Sequence, residues 1–214
     1  QYNEFGQLVS STKGNEAPTE YIYNDKGQLV EQRTFIDQAQ ALNGTTINRY
    51  SQQLYRYNET GELIVKIVVN AVTPTLQASV ETYEYDKQGR QVVTHRYSSF
   101  LTLTQSQTEL SSDLAALDNA VNAFTSSTAK VSDFTVYDSV GRKTAIIDAM
   151  GATTLYSYDA LGRVTEQIRK GAYADITTST ITSLKDGSLS AAELSYQSAT
   201  SADARIANVY DDQG

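Results

Sequence analysis

The chain has 214 residues, 40% hydrophobic and 20% charged, a globular composition of a length that can bury a sizeable core. Seventeen Lys and Arg against 25 Asp and Glu leave a net charge of −8 with no basic cluster, which argues against nucleic acid or an anionic membrane as partner. Without cysteine there is no disulfide, thiolate metal site or thiol nucleophile, and no apolar run reaches the length of a membrane span.

From the N-terminus onward one pattern recurs. It opens as Tyr2-Asn3-Glu4-Phe5-Gly6 and returns at Tyr23-Asn24-Asp25-Lys26-Gly27 and Tyr57-Asn58-Glu59-Thr60-Gly61. Tyr85-Asp86-Lys87-Gln88-Gly89, Tyr137-Asp138-Ser139-Val140-Gly141, Tyr158-Asp159-Ala160-Leu161-Gly162 and Tyr210-Asp211-Asp212-Gln213-Gly214 complete it. Every copy has Tyr first, Asn or Asp second and Gly fifth. The glycine intervals are 21, 34, 28, 52, 21 and 52, which reads as a 21-residue unit carrying loops of variable length.

Each motif position has a physical role. Asn or Asp suits the start of a type I turn, where its side chain bonds a backbone N–H two residues on. Gly three residues later supplies the positive φ that closes a hairpin through a bulge. Before the turn, Tyr21 and Tyr23, Tyr55 and Tyr57, Tyr83 and Tyr85, and Tyr156 and Tyr158 share one strand face. After it come β-formers such as Leu63-Ile64-Val65. The spacing predicts a mainly β fold: an antiparallel array of hairpins with a tyrosine ladder.

The stretch from Tyr137 to Arg163 resembles two successive units of the RHS/YD-repeat family. That family includes bacterial polymorphic toxins, cocoon-forming subunits of insecticidal toxin complexes, and teneurins. The resemblance implies a curved sheet, a segment of a β-shell or barrel, in a secreted or cell-surface protein. It implies flanking repeats of the same parent chain as partners, with an encapsulated toxin segment, a surface glycan or a second copy as further ones. The autoproteolytic core of such proteins has no counterpart here. Residues 1–214 are expected to be one array segment that interrupts a repeat at both ends, with any export signal upstream and unpaired sheet edges available for association.

Inserts are expected at about 36–50, 66–80, 98–131 and 171–205. In the first, Asn43-Gly44 signals a tight turn. In the third, Leu110, Leu114, Leu117, Val121 and Phe124 form one apolar face, and Ser106 with Glu109 a capping box, predicting a helix over about 106–124. In the fourth, Ser190 and Glu193 form another box, predicting a short helix around 190–200.

No catalytic, cofactor or metal site is expected. His95 is the only histidine and sits in a strand-like stretch with no second histidine or cysteine to share a metal. There is no Gly-x-Ser-x-Gly elbow. The Asp-x-x-Gly turns lack the alternating oxygen ligands of a calcium loop, and Asp211-Asp212 and Lys185-Asp186-Gly187 come nearest. The reading is a structural segment rather than an enzyme, with adhesion or glycan binding through exposed tyrosines as the rival.

Overall fold

The computed structural model of the chain describes residues 1–14, 16–35, 50–71, 75–104, 110, 113–198 and 201–210. Among these are thirteen strands: β1 (Ser10–Ser11), β2 (Thr19–Tyr23), β3 (Leu29–Phe35), β4 (Tyr50–Tyr57), β5 (Leu63–Ala71), β6 (Leu76–Tyr85) and β7 (Gln91–Tyr97). After them come β8 (Leu101–Leu103), β9 (Lys130–Tyr137), β10 (Lys143–Ile147), β11 (Ala152–Tyr158), β12 (Val164–Tyr173) and β13 (Ala204–Ala207). The sheet is antiparallel and open, its strands are neighbours in sequence order, and only β8 departs by turning back onto β6. Two helices, α1 (Leu114–Ser127) and α2 (Thr178–Asp186), lie in the two longest inserts. The chain divides into two compact units, Gln1–Thr82 with Arg96–Lys130, and Tyr83–His95 with Val131–Gly214.

In the first unit, strict alternation makes the core. Leu76, Ala78 and Val80 of β6 are buried, while Gln77, Ser79 and Glu81 between them are not. Leu54, Ile67 and Val69 join them, and Leu101, Leu103, Leu110, Leu117 and Val121 from the insert cover the same face. Each large aliphatic so buried contributes about 1.5–3 kcal/mol of transfer free energy.

Helix α1 begins eight residues later than the apolar spacing predicts. Asp113 is its N-cap, its carboxylate accepting from the Ala116 N–H at 3.0 Å. The Ser106–Glu109 box lies outside the described residues. Leu110, Leu117 and Val121 are buried as the pattern requires, and Phe124 meets the Tyr97 ring at 5.3 Å. Leu114, expected inside, is 43% exposed. It sits at the helix start over a groove lined by Tyr55, Tyr57 and Asn58, beyond the aliphatic part of the sheet. The Asn43-Gly44 turn also lies outside the described residues; on either side of it β3 and β4 pair, with Phe35 opposite Tyr50.

In the second unit, Val92, Val93, Phe134, Val136, Ala145 and Ile147 form the strand side of the core, and Ala174, Leu184 and Leu194 from the last insert cover it. Helix α2 has no counterpart in the sequence-based expectation. Thr177 caps it, accepting from the Thr180 N–H at 3.2 Å, and Gly187 ends it in the left-handed conformation. A helix is expected at 190–200, and among the described residues 190–198 there is no α-helix. Ala191–Glu193 make a single 3-10 turn, with the Glu193 carboxylate accepting from both the N–H and hydroxyl of Ser190 at 2.7 Å. Beyond it the chain is pulled into extended pairing: Asp175 N–H donates to Ser195 O, and Gln197 N–H to Tyr173 O, each at 2.9 Å. Those bonds and the Ala174–Tyr196 bridge compete with helix formation, and prevail.

Candidate functional site

The repeated feature is the hairpin turn and its junction with the next hairpin. In six turns the Gly N–H donates to the carbonyl of the leading Asn or Asp, at 2.9–3.1 Å. The side-chain oxygen of that Asn or Asp accepts from the N–H four residues on, as in Asn24 with Gln28 and Asp138 with Arg142. In five turns it also accepts from the N–H two residues on. Gly6, Gly27, Gly61, Gly89, Gly141 and Gly162 have φ between 74° and 92°, a region that costs any L side chain about 1–2 kcal/mol. The extra residue appears as a register shift beside Tyr23, Tyr57 and Tyr158. Asp211 and Gly214 of the seventh copy lie outside the described residues.

The motif tyrosines tie hairpin to hairpin. Tyr23 O–H donates to Leu8 O at 2.9 Å, Tyr57 to Leu29 O at 2.8 Å and Tyr137 to Gln91 O at 3.1 Å. Tyr158 donates to Lys143 O at 2.7 Å and Tyr210 to Val164 O at 2.8 Å. In every case the acceptor is two residues past the preceding motif glycine. These motif tyrosines are therefore fastened to the preceding hairpin by hydroxyl-to-carbonyl bonds.

The residue directly after the glycine, outside the five-position motif, completes the junction. Where the turn begins with Asn, it is Gln7, Gln28 or Glu62, accepting from the Asn amide at 2.6–2.8 Å. Where it begins with Asp, it is Arg90, Arg142 or Arg163, whose Nε meets the carboxylate at 2.6–2.7 Å. The same side chain reaches the next turn: Gln7 to Gly27 O, Arg90 to Asp138 O and Arg142 to Asp159 O. The arginines also lie over the next tyrosine ring, Arg90 on Tyr137 at 4.9 Å, Arg142 on Tyr158 at 4.8 Å and Arg163 on Tyr210 at 4.5 Å. The signal was present in the sequence, since Gln or Glu follows the glycine of each Asn turn and Arg that of the Asp86, Asp138 and Asp159 turns.

Charge follows geometry. Burial pushes the Asp138 carboxyl up, but the backbone N–H and guanidinium of Arg142 outweigh it and hold the group below its ordinary value. The guanidinium and N–H of Arg163 lower Asp159 likewise. Burial raises the Tyr137 phenol, against the opposing pull of Arg90.

One further turn of this class carries no tyrosine. Asp148 accepts from the N–H groups of Met150 and Ala152 at 2.9 Å each, and Gly151 has φ 88°. Its Asp-x-x-Gly spacing was legible, but Ile147 stands where the motif has Tyr.

His95, read as a strand residue without partners for chemistry, lies 7% exposed between two polar groups. Nε2 is 2.8 Å from Glu84 Oε1, and Nδ1 is 2.6 Å from Ser132 Oγ. Lys185 Nζ holds the other Glu84 oxygen at 2.7 Å. The hydrogen bond from His95 lowers the Glu84 carboxyl most; burial opposes it, Lys185 adds to it, and the group falls to about 2. No cluster of three or more metal-ligating side chains occurs among the described residues, and no described helix is long and apolar enough to cross a membrane.

Residues 137–172, which hold the Asp138, Asp148 and Asp159 turns, match the RHS Repeat family. That stretch is similar to an RHS repeat. Two crystal structures, of TcdB2-TccC3-TEV and TcdB2-TccC3-Cdc42, align with it at 11% and 12% identity, each with a TM-score of 0.39. Each alignment covers 77% of this chain and 8% of the solved chain, so the chain spans a small part of their length. No curated protein matches the sequence.

Proposed function

We propose that this chain is a scaffold segment of a longer, exported RHS-repeat protein, forming part of a wall that encloses or delivers a C-terminal toxin segment. It acts by shape and rigidity, not by catalysis, and its main partners are the flanking repeats of its own parent chain. The observation that carries this reading is the recurrence of one junction. Tyrosine hydroxyl, turn carbonyl and the residue after the glycine repeat from hairpin to hairpin, so the array can be extended without new contacts.

Limited proteolysis of the full-length parent tests the enclosure. The segment following the array is expected to resist protease while the array is folded and to be cut once the array is opened by denaturant. Equal cleavage rates in both states would exclude a wall.

A second reading, glycan recognition, has one observation in its favour. A groove of about 710 Å³ is lined by Asn3, Phe5, Gln7, Tyr21 and Tyr23, and the equivalent positions of the next repeat line another of about 310 Å³. Paired tyrosines beside side-chain amides suit the apolar faces and hydroxyls of a sugar. Oligosaccharide binding that Tyr21→Ala abolishes would favour this reading.

A further inference from the structure

Glu84, His95 and Ser132 stand on three strands, β6, β7 and β9, in a line that no part of the repeat pattern explains. His95 is engaged at both ring nitrogens, and the two partners differ in kind. Glu84, held ionised, offers only lone pairs, so it selects the proton onto Nε2. Nδ1 is left with its lone pair aimed at the Ser132 hydroxyl 2.6 Å away. Lys185 on Oε2 keeps the carboxylate from turning. This is the order of parts in an activated serine: nucleophile, base and a group that fixes the base's tautomer.

We propose that Ser132 is an acyl-accepting nucleophile, with His95 as its general base and Glu84 as the positioning residue. The acyl donor is an activated ester or thioester small enough to reach a half-buried serine beside the exposed Val131. Ser132 Oγ attacks the carbonyl carbon and its proton passes to His95 Nδ1. The tetrahedral adduct collapses by breaking the bond to the leaving oxygen or sulfur, which takes the proton back from Nδ1. The products are a Ser132 ester and a free alcohol or thiol, with nothing oxidised or reduced. One group is accepted per chain; hydrolysis of the ester is not part of the proposal.

The alternative is that the three residues form an inert cross-strand ladder, and the two are separable. The 214-residue chain is treated with p-nitrophenyl acetate, and acetylation is followed by intact mass and peptide mapping. Expected is a single acetyl group on Ser132, added about 100-fold more slowly in His95→Gln, the low end for loss of a general base. Its pH dependence should flatten in that variant. Glu84→Gln should slow acetylation while leaving the far-UV circular dichroism unchanged. Acetyl groups on lysines or tyrosines alone, or on Ser132 at an unchanged rate in His95→Gln, overturn the proposal. Should His95→Gln not fold, the nitrogen-15 imidazole spectrum of the unaltered chain decides: the Nε2–H tautomer supports the proposal, and the Nδ1–H tautomer overturns it.

Discussion

The guanidinium of Arg142 lies 4.8 Å from the ring centre of Tyr158, the tyrosine that opens the following repeat, while its Nη1 donates to the carbonyl of Asp159 next to it. One side chain thus grips its own turn, through Asp138, and the next one. Arg142→Leu removes the stacking and both polar bonds, and a loss of about 1–2 kcal/mol is expected from a half-exposed cation–π contact and one net hydrogen bond. A double-mutant cycle with Tyr158→Leu should show coupling between the two positions. Strict additivity would mean that the stack carries no energy. Hydrogen exchange should locate the loosening at the β9–β10 and β11–β12 turns rather than across the chain.

Two glycines with similar backbone angles should respond differently to alanine. A Cβ on Gly162 meets nothing within 4 Å, so Gly162→Ala incurs only the left-handed backbone strain, about 1–2 kcal/mol. A Cβ on Gly151 falls 2.9 Å from Ala174 O, and that residue is tethered in place because its N–H donates to Gly151 O at 2.7 Å. Gly151→Ala is expected to cost at least about 1 kcal/mol more than Gly162→Ala, in the range of overpacked sites. Equal losses in chemical denaturation would refute the close approach.

Helix α1 offers a paired test along one face. Leu117 is fully buried, and Leu117→Ala should cost about 2–5 kcal/mol. Leu114, three residues earlier on the same face and 43% exposed, should cost about 0.5 kcal/mol or less. Reversal of that order would restore the burial of Leu114 that the apolar spacing predicts.

Acid should weaken the second unit through Glu84. Its folded value of about 2 lies below the ordinary 4.5, so the unfolded chain binds the proton first as pH drops. The stabilisation is complete above the ordinary value and is lost as pH falls through the window down to about 2. Denaturation midpoints of the unaltered chain and Glu84→Gln should therefore converge across that window. Parallel curves would show that the His95 and Lys185 contacts do not bias Glu84 in solution.

The features legible in the sequence are local, and the hidden ones are long-range. An Asn or Asp and a glycine at fixed offsets encode a turn because the contacts they make span no more than four residues. The partner choice at the position after glycine is also written there, Gln or Glu with Asn and Arg with Asp, but its purpose shows only when the next hairpin is in place. Glu84 and Ser132 lie 11 and 37 residues from His95, and nothing local announces either. Helix ends are obscured for a related reason. Ser190 and Glu193 do make their predicted bonds, yet pairing with Tyr173 and Asp175 from the preceding strand end sets the conformation of residues 195–197.

The junctions address main-chain oxygens: Tyr158 reads the carbonyl of Lys143, Arg142 that of Asp159, and Gln7 that of Gly27. A carbonyl looks alike whatever side chain it belongs to. Such a fastening is blind to the two free positions of the turn it holds, which are as different as Asp25-Lys26 and Ala160-Leu161. Duplication, deletion or recombination of whole hairpins therefore leaves the joint chemistry intact. Drift at the exposed tips is free to proceed without unfastening the array.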